Sequence, residues 1–251
     1  MATFQYGNTP TTAAVTGATA ISSGTGNDVI SVTGSLTGAV IDLGGGGDTL
    51  KLSGPSTATL KNVETLLGSA SADIVTLASQ ATGGLYDFGA GTDTLRLGGF
   101  DNLLTVTNVE NLIGDTGDDA ITIRASTTAI SVDLGAGSDT LTLNTTTTAT
   151  LSNAETIVGS SGADVITLGA QADGVVVDLA GGADRLTLGN FVNTVTITNV
   201  ETVTGAANAD TVVAATALTA GTFDLAGGND RLVLADFVNT VTVANAETLT
   251  G

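Results

Sequence analysis

The chain contains no cysteine, no histidine and no tryptophan, and only two prolines. Lack of cysteine removes disulfide chemistry. Without either Cys or His, imidazole catalysis and most zinc or copper sites are excluded, and only hard oxygen ligands remain for any metal. Aromatic residues make up 3% of the 251 residues although 42% are apolar, so a core has to be filled by Val, Leu, Ile, Ala and Thr rather than by large rings. Such a core suits a stack of sheets. Basic residues are also scarce: six Lys and Arg stand against 25 Asp and Glu, for a net charge of −19. That field repels nucleic acid and anionic membranes and attracts cations, so neither is expected as a partner. The start, MATFQYGNTP, lacks a basic segment followed by an apolar one, and no apolar run is long enough to cross a bilayer. The sequence therefore predicts neither a cleaved N-terminal signal nor membrane insertion.

What is present in quantity is Gly, with 34 residues, alternating with Thr and aliphatic residues. Self-similarity is plain. Five units of 45 or 46 residues cover 24–68, 69–114, 115–159, 160–205 and 206–251. Each has two Asp residues that close a small-residue loop and open a strand: Asp28 and Asp48, Asp73 and Asp93, Asp119 and Asp139, Asp164 and Asp184, Asp210 and Asp230. Within a pair the spacing is 20 residues and between pairs it is 25 or 26, which predicts two coils of unequal length per unit and about ten in all. Six residues before the later Asp stands another, Asp42, Asp87, Asp133, Asp178 or Asp224. An Asn-(Val/Ala)-Glu element carries Glu64, Glu110, Glu155, Glu201 or Glu247. Twenty of the 25 acids thus sit at repeat-fixed positions, and the charge is architectural.

Between the acids lie alternating runs such as VITL at 165–168, DTLTL at 139–143 and VTITN at 195–199. A period of two puts Val, Leu and Ile on one face and Thr on the other. Strands this short, joined by Gly turns at a fixed period, bury their apolar faces only by stacking. The fold class expected is all-β, a parallel β-solenoid of the β-roll or β-helix kind with five repeats over 22–251. At about 4.8 Å per coil, ten coils would span roughly 50 Å. Residues 1–21 lack the acidic loops and are read as a cap or a donor-strand segment. The second, fourth and fifth repeats carry one extra residue and a Phe (Phe100, Phe191, Phe237), expected to fill a corner of the core.

The loops GTGNDVISV (24–32), GAGTDTLRL (89–97) and GAGSDTLTL (135–143) resemble the haemolysin-type calcium-binding nonapeptide of bacterial repeats-in-toxin proteins. The loop recurs ten times with varying fidelity over residues 24–251, where one copy would mean little. Physically, Gly at positions −4 and −2 from the Asp lets backbone carbonyls turn toward a cation, and the Asp completes an oxygen shell of the kind Ca²⁺ takes. Asp28 and the later Asp of each unit (Asp48, Asp93, Asp139, Asp184, Asp230) are the stronger candidate ligands, with Asp42, Asp87, Asp133, Asp178 and Asp224 as partners. Asp73, Asp119, Asp164 and Asp210 are the weaker ones, because their loops keep fewer glycines. The alternative is that each Asp caps its turn by accepting backbone N–H bonds. Stacked carboxylates about 5 Å apart would repel by roughly 1 kcal/mol per neighbouring pair even in water, which favours a neutralising cation.

No catalytic constellation stands out, because the carboxylates form ladders rather than one isolated pair, so an enzyme is not expected. The expectation is an extracellular or cell-surface bacterial structural protein, assembling head to tail with copies of itself and in contact with cell-surface polysaccharide. The resemblance implies secretion by a type I system. The chain stops at the last residue of a complete unit without a polar cap, so that end is expected either to continue in a longer protein or to dock onto another copy. An adhesin stalk, or an ice- or ligand-binding face built from Thr, is the alternative, although the Thr-x-Thr pieces do not recur in every coil.

Overall fold

A computed structural model describes residues 2–125 and 129–251. The chain divides into two compact units, 1–127 and 128–251. Within each unit fourteen strands alternate between two sheets along the chain, seven in each sheet. Every described pairing is parallel, and no helix occurs among the described residues. The expected all-β parallel solenoid is the observed fold.

Period-two patterning explains the packing. In unit 1, one sheet stacks Ala13, Ile30, Leu50, Leu66, Tyr86, Val106 and Ile123 as an inward column, one residue per rung. Its facing sheet stacks Ala58, Val75, Leu95 and Leu112. In unit 2 the corresponding columns are Leu141, Ile157, Val177, Ile197 and Ala214 and Ala149, Ile166, Leu186, Val203 and Phe223. Apart from Ala13, Tyr86 and the small Ala residues, these are fully covered aliphatic or aromatic side chains. Thr dominates the alternate, outward positions.

The number of turns differs from the expectation. Each repeat holds five strands; in the first these are Val29–Thr33, Leu36–Asp42, Thr49–Leu52, Ser56–Lys61 and Thr65–Leu67. Two strands make a turn, so a repeat is two and a half turns rather than two, and the solenoid has about 13 turns instead of ten. The acid spacing misled because Glu64 also opens a rung: Thr49 pairs with Thr65, 16 residues on, as Val29 pairs with Thr49, 20 residues on. The remaining step from Glu64 to Asp73 is a half turn. Successive repeats therefore begin on opposite sheets, Asp28 ahead of a strand in one and Asp73 ahead of a strand in the other.

The segment 1–21, read as a cap or donor-strand segment, contributes to three strands of these same sheets, Ala2–Gln5, Thr12–Thr16 and Ala18–Ser22. Thr12 pairs with Val29, Phe4 with Ile21 and Ile21 with Ile41, all in parallel. Gly17 has φ +63°, the conformation that Asn62 takes between its two strands at φ +53°. The Phe expectation is overturned as well. Phe100, Phe191 and Phe237 are 40%, 41% and 61% exposed, while the nearby Asn102 and Asn193 are buried. These amides are the corner pieces: Asn102 Nδ2 donates to the carbonyls of Gly98 and Phe100 and to Asp119 Oδ1, and Asn193 repeats the pattern with Gly189, Phe191 and Asp210.

Candidate functional site

The later loop of each repeat has a conformation that ordinary residues resist. Gly44, Gly89 and Gly135, four before the ladder Asp, have φ of +82°, +85° and +90°, and Ala180 and Ala226 hold the same place at +65° and +67°. An alanine there costs about 1–2 kcal/mol, so the turn is imposed by its surroundings. Two residues later Gly46, Gly91, Gly182 and Gly228 have φ between +142° and +153°, a region nearly restricted to glycine. By contrast, Ser69 and Ser160, at the −4 position of two early loops, are not left-handed. Glycine alone does not set this conformation: Gly24 and Gly26, before Asp28, are not left-handed, while Ala180 and Ala226 are.

The acid six before the later Asp shapes this turn. Asp42 Oδ1 accepts the N–H of Gly44 at 3.2 Å and the side-chain amide of Asn62 at 2.8 Å. Asp87, Asp133, Asp178 and Asp224 do the same with the N–H groups of Gly89, Gly135, Ala180 and Ala226 and with the amides of Asn108, Asn153, Asn199 and Asn245. All five Asn residues are left-handed, φ +52° to +55°. The Asn of the Asn-x-Glu element is thus an αL turn residue tied to an Asp of the neighbouring rung. These acids lie at the solvent rim.

The ladder Asp residues lie in a different setting, with their side chains covered. Asp48 Oδ1 accepts the backbone N–H of Asp28 at 2.7 Å, and Glu64 Oε2 accepts the N–H of Asp48 at 2.8 Å. At the other end of that ladder Asp28 Oδ1 accepts the N–H of Thr11 at 2.6 Å. The second repeat runs Ser56, Asp73, Asp93, Glu110, the fourth Thr147, Asp164, Asp184, Glu201, and the fifth Asn193, Asp210, Asp230, Glu247, with bonds of 2.7–3.1 Å. In the third, Asn102 donates to Asp119, and Asp139 donates to Glu155. Each of these N–H groups is thus received by a carboxylate one rung on, whereas those of Ala81, Ala172 and Leu218 are received by the amide oxygens of Asn102, Asn193 and Asn239.

One oxygen of most ladder carboxylates is left over. Oδ2 of Asp28, Asp48, Asp93, Asp184, Asp210 and Asp230 is buried without a hydrogen-bond partner, in side chains that are 0–1% exposed. Burial raises the carboxyls of Asp48, Asp73, Asp119, Asp184 and Asp230 above the usual range, opposed by the N–H each accepts, and raises Asp93 to about 6. Neighbouring acids add to this: Glu64 and Asp28 act on Asp48, as Asp73 and Glu110 act on Asp93.

The sequence-derived candidates therefore fall into two sets. The structure places Asp28, Asp48, Asp73, Asp93, Asp119, Asp139, Asp164, Asp184, Asp210 and Asp230 in the ladders, and Asp42 and its equivalents with the Asn amides at the rim. Glu64 and its equivalents in the Asn-x-Glu element join the ladder, not the rim. Among the described residues no three acidic side chains come close enough together to hold a metal ion by themselves. Calcium here would draw on an unpaired Asp Oδ2 together with loop carbonyls, and the orphaned oxygens fit that donor chemistry. No family model matches the chain, and no curated protein does.

Proposed function

We propose that this is an extracellular, calcium-binding structural protein of a bacterial surface or matrix, with no catalytic role, which assembles with further copies of itself. The observation that carries this reading is the set of buried, unpaired Asp Oδ2 atoms recurring at equivalent turns. An ionised carboxylate held away from water with one oxygen unserved is costly, and a divalent cation removes both the charge and the vacancy. Asp48, Asp93, Asp184 and Asp230, with the glycine-loop carbonyls beside them, would hold Ca²⁺, with Asp28 and Asp210 as further sites. Bound there, the ion supplies counter-charge and links one turn to the next. Parallel strand addition, which builds every rung, is also the contact by which copies would join.

Calorimetric titration of chelator-stripped protein with CaCl₂ is expected to show several bound ions per chain, with a gain in β circular dichroism and in melting temperature. A spectrum and melt indifferent to both chelator and calcium would overturn the reading. Electron microscopy of the same samples is expected to find fibres or sheets only with calcium.

A second reading gains support from the register. In unit 1 an uncharged outward column runs Thr12, Val29, Thr49, Thr65, Leu85, Thr105, Thr122. In unit 2 another runs Thr140, Thr156, Val176, Thr196, Val213, Val233. Alternating turn lengths hid this regularity in the sequence. Such a face suits a neutral, ordered partner such as ice. Thermal hysteresis in dilute, calcium-loaded protein is the expected sign, and freezing indistinguishable from buffer would dismiss it.

A further inference from the structure

We propose that the residue four before each ladder Asp decides whether that turn needs a cation, and that Ser69 and Ser160 make their two turns cation-independent. This rests on the calcium reading above and divides its sites into two kinds. At Asp164 both carboxylate oxygens are served by protein. Oδ1 accepts the N–H of Thr147 at 2.7 Å, and Oδ2 accepts the N–H of Ser160 at 2.9 Å and its hydroxyl at 3.2 Å. The Ser160 hydroxyl is oriented for this, because its oxygen receives the N–H of Gly162 at 3.1 Å.

Asp73 is built the same way. Ser56 donates to Oδ1, and the N–H of Ser69 donates to Oδ2 at 3.0 Å. The Ser69 hydroxyl lies 3.1 Å from that oxygen and equally from the Ser71 carbonyl, so its one proton is shared. Neither Asp73 nor Asp164 has an unpaired buried oxygen, although both are fully covered.

In the later loops the N–H at −4 is spent elsewhere. The left-handed turn directs the N–H of Gly44, Gly89, Ala180 and Ala226 to the rim acids Asp42, Asp87, Asp178 and Asp224. No hydroxyl is present at these positions, and Oδ2 of Asp48, Asp93, Asp184 and Asp230 is left unpaired. The rim acids thus act as positioning residues that open the site, not as ligands. Asp28 and Asp210 have Gly24 and Ala206 at −4, again without a hydroxyl, and their Oδ2 atoms are unpaired too.

Ala206 offers the cleanest test. Its carbonyl accepts the N–H of Gly227, just as the carbonyls of Ser69 and Ser160 accept those of Ala90 and Gly181, but its own N–H does not serve Asp210 Oδ2, so an added hydroxyl is the group that would. Gly24 is unsuitable, because a Cβ there would collide with Asn8 and with the Gly7 carbonyl. The experiment takes the whole chain as wild type, Ala206→Ser and Ser160→Ala, and measures melting temperature in chelator and in CaCl₂, with calcium stoichiometry by calorimetry. Ala206→Ser is expected to raise the melt in chelator by about 2–4 °C, to change it little in calcium, and to lose one bound ion. Ser160→Ala is expected to lower the melt in chelator, to recover most of the loss in calcium, and to gain one ion. A wild type that ignores calcium would remove the calcium reading and this inference together. A wild type that responds, with both variants shifting the two melts equally at unchanged stoichiometry, would remove this inference alone.

Discussion

Stripped of divalent cations, the protein will melt at a higher temperature at pH 4 than at pH 7, and calcium will abolish most of that difference. The direction follows from the ladders. Burial holds Asp48, Asp73, Asp93, Asp119, Asp184 and Asp230 above the unfolded value of 3.8, Asp93 at about 6. A carboxyl raised on folding binds its proton more tightly in the native state. Its contribution is fully present below the unfolded value and is lost as pH rises through the folded one. The loss therefore falls between about pH 4 and pH 6–7, and six groups contribute. At neutral pH calcium replaces the proton as counter-charge, so the loaded protein will show a flat profile there.

Net charge alone would also favour mild acid, because −19 repels itself. The two causes separate with salt. Repulsion between exposed charges is screened at 0.5 M NaCl, where the Debye length is only a few ångströms, whereas a buried carboxyl is little affected. The slope is thus expected to survive salt and to shrink between pH 5 and 7 in Asp93→Asn. A chelated protein whose melting temperature falls steadily on acidification would refute the account.

Asp164→Ala will be among the most damaging single substitutions in the chain, by about 2–6 kcal/mol in urea unfolding. It leaves the buried N–H groups of Thr147 and Ser160 without acceptors, each worth about 1–3 kcal/mol when orphaned. Because this turn serves its own carboxylate, the loss will be the same in calcium and in chelator. Asp133→Ala provides the contrast. Its bonds to Gly135 and Asn153 lie at the exposed rim, where water replaces them, so its cost should stay near or below about 1 kcal/mol. Equal losses at the two positions would mean that the ladder carries no special share of stability. Asp164→Asn, which keeps Oδ1 as an acceptor for Thr147, is expected to fall between them.

Much of this architecture was legible beforehand. Alternation of Thr with Val, Ile and Leu forces one side of each short strand inward, and a recurring Gly loop forces stacking, so the parallel solenoid followed from pattern alone. The turn count did not, because Glu64 and its equivalents open rungs just as the Asp residues do. Spacing between Asp residues could not reveal that a chemically different residue holds the third place of each ladder. The Phe residues misled for a similar reason. An inserted aromatic ring reads as core, yet a buried Asn amide bonds three groups at that corner and leaves the ring half in water.

The repeat itself determined that acids recur at fixed places and that small residues precede them. It also placed Asp42 and Asp48, six apart, in one loop, which made them look like co-ligands. Only the three-dimensional structure decided that their side chains part, one to an Asn amide at the rim and the other under the neighbouring turn. Glycine content set the early and later loops apart in sequence, whereas the unpaired carboxylate oxygens occur in both kinds, at Asp28 and Asp210 as at Asp48 and Asp93. A left-handed residue at −4 points its N–H outward and leaves a carboxylate oxygen unserved, whereas a serine in ordinary conformation fills that need. Sequence period specifies which residues recur, while the direction of a single N–H and the presence of a hydroxyl at −4 specify which carboxylate oxygens the chain itself serves.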